Sequence, residues 1–404
     1  MQNLLSSNLD LSGCFSLSLR TLTQYHALLT RHPWTKDLPS LHRALQIRAG
    51  IDRYPVLLDT GMLDHAGECA RKSLSGATCV VISDRNVAQL FASRVKRSLA
   101  SAGFRPTLIT IPAGEKSKTL RQTGTICDQM IAAGLDRQSF VVGLGGGMIS
   151  DISGFVAAIY HRGIPHLQIP TTLLAMVDSS IGGKTGVDTR TGKNLIGAFH
   201  HPSLVIDDLD VLKTLPRRQF NQGFAEIIKH AIVGDAEMFR ILKVARASGL
   251  RRSSETPALR RLIRRNIQLK SRIVAKDERD QTGERALLNF GHTVGHAIER
   301  AGNYRKFLHG EAVSLGIVAA CAISVKRAGL PADQHAAIVD LLERFELPTR
   351  LPLKFPRKKI LDAVSFDKKF EGGKIRFVVT PRIGVAKVSE NVTREDIREA
   401  IENL

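Results

Sequence analysis

Between residues 47 and 215, short apolar runs alternate with stretches of helical periodicity, and that alternation confines the chain to α/β architectures. Thr78–Ser83 reads as a strand that ends in the turn Asp84-Arg85-Asn86 and opens a helix over Val87–Ala102. Thr107–Ile111 predicts a second strand, followed by the loop Ala113–Lys118 and a helix from about Leu120 to Ala133. Ser139–Leu144 predicts a buried strand, then Gly145-Gly146-Gly147 and a helix over Met148–Ala158. Apolar runs without polar alternation suit strands covered on both faces, so a parallel sheet is expected, with ligands at the strand C-terminal ends.

After Pro216 the strand signals fade and helical periodicity continues to about Phe345. The tail carries a predicted hairpin, Lys374–Thr380 against Gly384–Val388, and a last helix with Thr393 as its N-cap. No internal repeat is visible. The expected organisation is an N-terminal extension over 1–45, an α/β nucleotide-binding domain over 46–215, and a mainly helical domain over 216–404.

Residues 1–45 hold only two acids, Asp10 and Asp37, among many Ser, Leu and His, a loose resemblance to a transit peptide. An upstream start codon or a loosely packed extension would explain the segment equally well. A cytoplasmic location is expected, or a plastid one if the segment is a transit peptide. The longest apolar run of the C-terminal half, Ala312–Val325, is shorter than the ~18–20 residues of a membrane span and reads as a buried helix. Five scattered cysteines, never spaced C-x-x-C, argue against a disulfide framework or a cysteine zinc site. Any metal must then be held by His and carboxylate.

The formal charge is +20. Attraction of an anionic substrate or of nucleic acid is one reading, a solvated helix face the other. Much of the excess lies between Lys243 and Arg272, in pairs such as Arg260-Arg261 and Arg264-Arg265. No aromatic residues interleave that run, so the stacking platform of single-strand binders is missing and nucleic acid is not the expected partner.

Three glycines between a buried strand and a helix let a backbone approach a pyrophosphate. The usual dinucleotide fingerprint is broken by Met148, and Gly183-Lys184-Thr185 lacks the upstream glycine of a Walker A motif. The triplet alone fits a phosphate turn or tight packing.

His292 and His296 stand at i, i+4 on one helical face, and the simple inference is that both bind one metal. His309-Gly310-Glu311 follows, and Glu226 interrupts an apolar helix face. Such a carboxylate is a reasonable third ligand, or the partner of Lys229 in a salt bridge. Arg162, Lys184, Lys193, Lys270, Arg285, Lys368 and Lys369 keep unusual company, several of them in glycine-rich or apolar contexts. Each alone suits a solvated surface; together they suit a substrate bearing phosphate and carboxylate.

From Asp84 to Val388 the motifs resemble those of the 3-dehydroquinate synthases. The matching strings are Gly114-Glu115-x-x-Lys118, Leu144-Gly145-Gly146-Gly147 with Asp151, Tyr160-x-Arg162-Gly163, and Ile169-Pro170-Thr171-Thr172-Leu173-Leu174. Others are Val177-Asp178-Ser179-Ser180-x-Gly182-Gly183-Lys184-Thr185-Gly186, and Gly192-Lys193-Asn194-x-Ile196-Gly197-Ala198-Phe199. The helical half adds Ala225-Glu226-x-Ile228-Lys229, Asn289-x-Gly291-His292-Thr293-x-Gly295-His296, His309-Gly310-Glu311 and Asp367-Lys368-Lys369.

The resemblance implies an NAD-binding α/β domain joined to a helical metal- and substrate-binding domain. It implies Glu226, His292 and His309 as ligands of a catalytic Zn2+ or Co2+, with His296 facing substrate instead of the metal. Asp84, Glu115, Lys118, Gly145, Gly146, Gly147, Asp151, Thr171, Thr172, Lys193 and Thr214 would bind NAD. Lys184, Lys229, Lys270, Arg285, Asn289 and His296 would act on the substrate. Arg162, Asp178, Asn194 and one of Lys368 or Lys369 would hold it.

The implied reaction turns 3-deoxy-D-arabino-heptulosonate 7-phosphate into a carbocycle and phosphate, a step of the shikimate pathway, in a homodimer without membrane association. Two departures stand out. The stretch from Asp277 to Arg285 is one residue longer than the common spacing, and His230 replaces a frequent tyrosine, outside the metal as the motif implies. The rival readings are a cyclase acting on sedoheptulose 7-phosphate, a polyol or glycerol-phosphate dehydrogenase, and a basic nucleic-acid-binding scaffold.

Overall fold

The computed structural model describes residues 44–50, 52–190, 192–252, 257–365 and 376–404. The segment before residue 44 and the pair Lys368 and Lys369 lie outside the described residues.

The predicted apolar runs become strands of one sheet. In chain order the strands are β1 (Leu45–Ala49), β2 (Asp52–Asp59), β3 (Thr78–Asp84), β4 (Arg105–Ile111), β5 (Phe140–Gly145) and β6 (His166–Pro170). They continue with β7 (Lys184–Val187), β8 (Ile196–Phe199) and β9 (Leu204–Asp208). The main sheet has the order β1-β2-β9-β6-β5-β3-β4, while β7 and β8 form a separate antiparallel ribbon. Only the edge pair β1–β2 of the main sheet is antiparallel. Val80, Val81, Ile82, Val141, Val142 and Leu144 are fully buried, as strands covered on both faces require. Strand order reverses between β3 and β5, the place where ligands bind at the strand C-termini of such sheets.

The glycine triplet falls at that switch point, at the end of β5 and the start of the helix Gly147–Ile159. A Cβ on Gly145 would lie 2.6 Å from Ile149, so this glycine serves strand–helix packing. Gly146 is the helix N-cap and offers no side chain to the first N–H groups, which leaves them to a ligand.

The helix expected over Val87–Ala102 is interrupted. It comprises a short turn Arg85–Val87, a π-type segment Ala88–Ala92 and a helix Ser93–Ser101. Asp84 caps its start, its carboxylate accepting from the N–H groups of Asn86 and Val87 at 2.9 and 3.1 Å.

Beyond Pro216 the molecule is helical. We label α1 (Arg217–Gly234), α2 (Pro257–Lys276), α3 (His292–Ala301) and α4 (His309–Ala328). Every residue of α1 from Phe220 to Val233 is buried, so this helix is a core element on all faces. The apolar run Ala312–Val325 lies in α4, and no helix among the described residues is long and apolar enough to cross a membrane. Helices α3 and α4 approach closely through glycine. A Cβ on Gly316 would meet the Gly291 carbonyl oxygen at 2.0 Å, and Gly291 itself turns at φ 77°.

The tail hairpin pairs Phe377–Arg382 with Val385–Ser389, shifted toward the C-terminus from the prediction because the chain reverses at Ile383 and Gly384 (φ 90°). Lys374 and Ile375 lie outside the described residues. Thr393 caps the last helix in a reciprocal box with Asp396. Two members of the basic run are less solvated than their pairing suggests. Arg260 meets Asp59 at 2.6 Å and Arg265 grips Asp235 at 2.5 and 2.8 Å.

Candidate active site

Glu226 stands in the buried face of α1 at 0% exposure, and among the described residues neither carboxylate oxygen accepts a hydrogen bond. His292 opens α3 and His309 opens α4. Their Nε2 atoms lie 3.5 and 3.6 Å from the same oxygen, Glu226 Oε1. A tetrahedral ion with ligands at ~2.0–2.1 Å has ligand–ligand edges of about 3.3 Å, so the three groups fit around one zinc-sized cation. Lys229, one turn along α1, pairs with the other oxygen, so the salt bridge and the convergence coexist.

These contacts govern protonation. Burial holds His292 well below the usual imidazole range, with Lys229 adding to the effect. Burial pushes His309 the same way, but Glu299 and Glu226 outweigh it and bring the ring up to about 10. Glu226 would be raised by burial, yet Lys229 and His292 hold it well below the usual carboxylate range.

The i, i+4 inference needs correction. His296 is exposed, with its ring 5.1 Å from that of His292, and no three-ligand group among the described residues contains both. A one-turn spacing aligns two rings along a helix; here the third direction comes from Glu226 on another helix, and His309 is better placed to share it. His230 also lies nearer than expected. It is fully buried, and one of its ring nitrogens, an Asp178 oxygen and a Glu226 oxygen lie within 4.8 Å of one another. Among the described residues both ring nitrogens lack hydrogen-bond partners, and burial, with Lys229, brings its pKa down to about 4.

Beside this cluster, Asp178 sits on a π-type turn, Ala175–Ser179. Lys270, projecting from α2, donates to its carboxylate at 2.5 Å and to its backbone oxygen at 2.6 Å. Burial lowers the Lys270 pKa, opposed by Asp178. Arg285 is buried and donates to the Gly182 and Glu278 carbonyl oxygens at 3.0 and 2.7 Å. The longer stretch before it is folded around Asp277, which accepts four backbone N–H groups, those of Gln281, Thr282, Gly283 and Arg285. Lys184 meets Asp280 at 2.5 Å and remains half exposed. Asn289 closes the short helical turn Arg285–Asn289 that leads to His292.

At the strand ends a second cluster forms. Lys118, 2% exposed, meets Asp151 at 2.5 Å, donates to Asn194, and has Glu115 and Asp188 at 3.8 and 3.9 Å. Burial raises the Asp151 pKa, and Lys118 opposes that rise. Lys193 lies 3.3 Å from Glu115 and 3.1 Å from Glu299, over the Tyr304 ring. The Thr171 hydroxyl is buried without a partner among the described residues, while Thr172 caps the turn carrying Asp178. Asn194, expected with the substrate group, is thus joined to the lysine of the cofactor group. Arg162, exposed at φ 69°, and Thr214, which donates to Val211, are tied to neither cluster by hydrogen bond or ion pair among the described residues. Sequence reasoning missed Glu299 and Tyr304. Glu299 was legible as the third member of the i, i+4, i+7 face begun by His292 and His296.

Residues 108–222 match the family model of the 3-dehydroquinate synthase N-terminal domain, and residues 223–370 that of the C-terminal domain. A 3-dehydroquinate synthase of Symbiobacterium thermophilum is 42% identical over 358 residues, 88% of this chain and 99% of that protein. One from a Nostoc species is 42% identical over 354 residues, 87% of this chain and 96% of that protein. Among solved structures, the 2-epi-5-epi-valiolone synthase of Streptomyces hygroscopicus, with NAD+ and Zn2+ bound, gives a TM-score of 0.79 at 27% identity, covering 91% of this chain and 98% of that one. A 2-deoxy-scyllo-inosose synthase complexed with carbaglucose-6-phosphate, NAD+ and Co2+ shares the fold, with a TM-score of 0.80 at 24% identity over 89% of this chain and 100% of that one.

Proposed function

This chain belongs to the 3-dehydroquinate synthase family, and from that premise we propose that it converts 3-deoxy-D-arabino-heptulosonate 7-phosphate into 3-dehydroquinate and phosphate. It is an NAD- and divalent-metal-dependent lyase; the sequence of events is transient oxidation, β-elimination of phosphate, re-reduction, ring opening and aldol closure. The observation that carries the reading is the convergence of Glu226, His292 and His309 beside the Asp178–Lys270 pair. When bound, NAD supplies a hydride acceptor and donor, and the metal held by those three residues acidifies a ring hydroxyl and polarises its ketone.

The protein's own groups bind and orient. Lys229 holds Glu226 ionised and aligned. Lys270 and Arg285, both buried, place positive charge where a carboxylate or phosphate can engage it, and Lys184 does so at the exposed edge. Asp178, ionised against Lys270, is an acceptor for substrate hydroxyls. Asn289 and His296 donate to the substrate in this reading. Arg162, Asn194 and one of Lys368 or Lys369 complete substrate binding in this reading. Asp84, Glu115, Lys118, Asp151, Thr171, Thr172, Lys193 and Thr214 bind NAD, with the pyrophosphate at Gly145–Gly147. Residues 46–215 then form the cofactor domain and 216–404 the metal and substrate domain of a cytoplasmic homodimer.

The test is incubation of the purified protein with the heptulosonate phosphate, NAD+ and Zn2+. Equimolar phosphate and carbocycle without accumulating NADH is the expected result. Turnover of sedoheptulose 7-phosphate in its place, or stoichiometric NADH, would overturn the assignment.

A further inference from the structure

Glu299 is 3% exposed and faces two partners that belong to different parts of the site. Its Oε2 lies 3.4 Å from His309 Nδ1, and its Oε1 lies 3.1 Å from Lys193 Nζ. We propose that Glu299 is a positioning residue whose single carboxylate orients His309 toward the metal and Lys193 toward the cofactor, and thereby couples the two binding events. The proposal rests on the metal reading of Glu226, His292 and His309.

The geometry dictates the role. His309 Nε2 points at Glu226 Oε1, so Nε2 can offer a lone pair to an ion only when the ring proton sits on Nδ1. The acceptor facing Nδ1 is a carboxylate, an arrangement that fixes ring orientation and raises ligand basicity. His292 differs, since its Nδ1 faces the backbone oxygen of Phe290 at 3.3 Å.

On the other side, Lys193 is held between Glu299, Glu115 at 3.3 Å and the face of Tyr304 at 4.8 Å. Tyr304 reaches that place through two consecutive left-handed residues, Asn303 at φ 51° and Tyr304 at φ 54°, and its N–H donates to the Glu299 carbonyl oxygen at 2.8 Å. Non-glycine residues adopt this conformation at a cost, so the surrounding contacts must hold it. A ligand that draws Lys193 toward itself changes the charge Glu299 presents to His309. By linkage the metal must then alter cofactor affinity by the same factor.

The experiment uses the full chain stripped of metal and titrated with Co2+, followed by its visible absorption, with and without saturating NAD+. Glu226→Ala is expected to abolish Co2+ binding; tight binding in that variant would overturn the metal reading and this proposal with it. With Glu226→Ala inactive in binding, Glu299→Gln is expected to weaken Co2+ about 10–100-fold and to remove the effect of NAD+ on Co2+ affinity. Glu299→Asp, which keeps the charge, is expected to bind Co2+ more tightly than Glu299→Gln. Affinity of Glu299→Gln within twofold of wild type, or the reverse order of the two variants, would show that Glu299 does not act on the metal site.

Discussion

The two clusters of the site solve opposite electrostatic problems. At the strand ends the buried cation Lys118 is surrounded by Glu115, Asp151 and Asp188, so the chain supplies more negative charge than the lysine needs. At the helical end a fully buried carboxylate faces two imidazoles and one ammonium, and among the described residues its oxygens take no hydrogen bond. A buried carboxylate is costly unless ion-paired or bound to metal. The first cluster is a salt network already formed; the second is a set of lone pairs shaped for a cation. One belongs to loops around a parallel sheet, the other to three helices that hold their side chains rigidly.

Mutations should separate the two ends. Glu226→Ala or His292→Ala is expected to lower phosphate release by about a thousandfold or more, since transition-state stabilisation by a Lewis acid amounts to several kcal/mol. Retention of a tenth of the activity would break the comparison. Lys118→Met leaves Asp151 and Asp188 without their cation while Glu115 keeps Lys193, and a urea titration should report a loss of about 3 kcal/mol, the lower end for breaking a buried ion pair. Lys270→Ala, beside the metal cluster, is expected to cut turnover about a hundredfold with little change in Co2+ affinity.

Acidity offers a further separation. His309 is raised to about 10, above its unfolded value, by Glu299 and Glu226 against the effect of burial. Its pairing therefore stabilises the metal-free fold fully below about 6.5, and that contribution is lost as pH rises through about 10. Metal binding must displace this proton, so Co2+ affinity should rise about tenfold per pH unit between about pH 6 and 8, measured at fixed ionic strength. A flat profile would mean that His309 carries no proton to displace. Smallest of all, Arg94→Ala at the exposed Arg94–Asp64 pair should shift stability by only ~0.2–1 kcal/mol and leave both clusters untouched.

The sequence by itself determined the parallel sheet, the glycine triplet at the end of β5, the buried helix α4 and the Thr393 cap, because strand burial, turn chemistry and capping act over a few neighbouring residues. It also exposed the histidine spacing of α3. Residue spacing alone paired His292 with His296, and the family resemblance named His309 in its place; only the tertiary structure decided how the longer loop is gathered on Asp277 so that Arg285 reaches Gly182, and that Asn194 joins Lys118. The meeting of Glu226, His292 and His309 depends on how closely α1, α3 and α4 approach. Gly291 and Gly316 permit that approach, and no single segment carries it in its own periodicity. Side chains 66 and 17 residues apart (Glu226 to His292, His292 to His309) meet because helix packing brings them together, and packing is a property of the whole core.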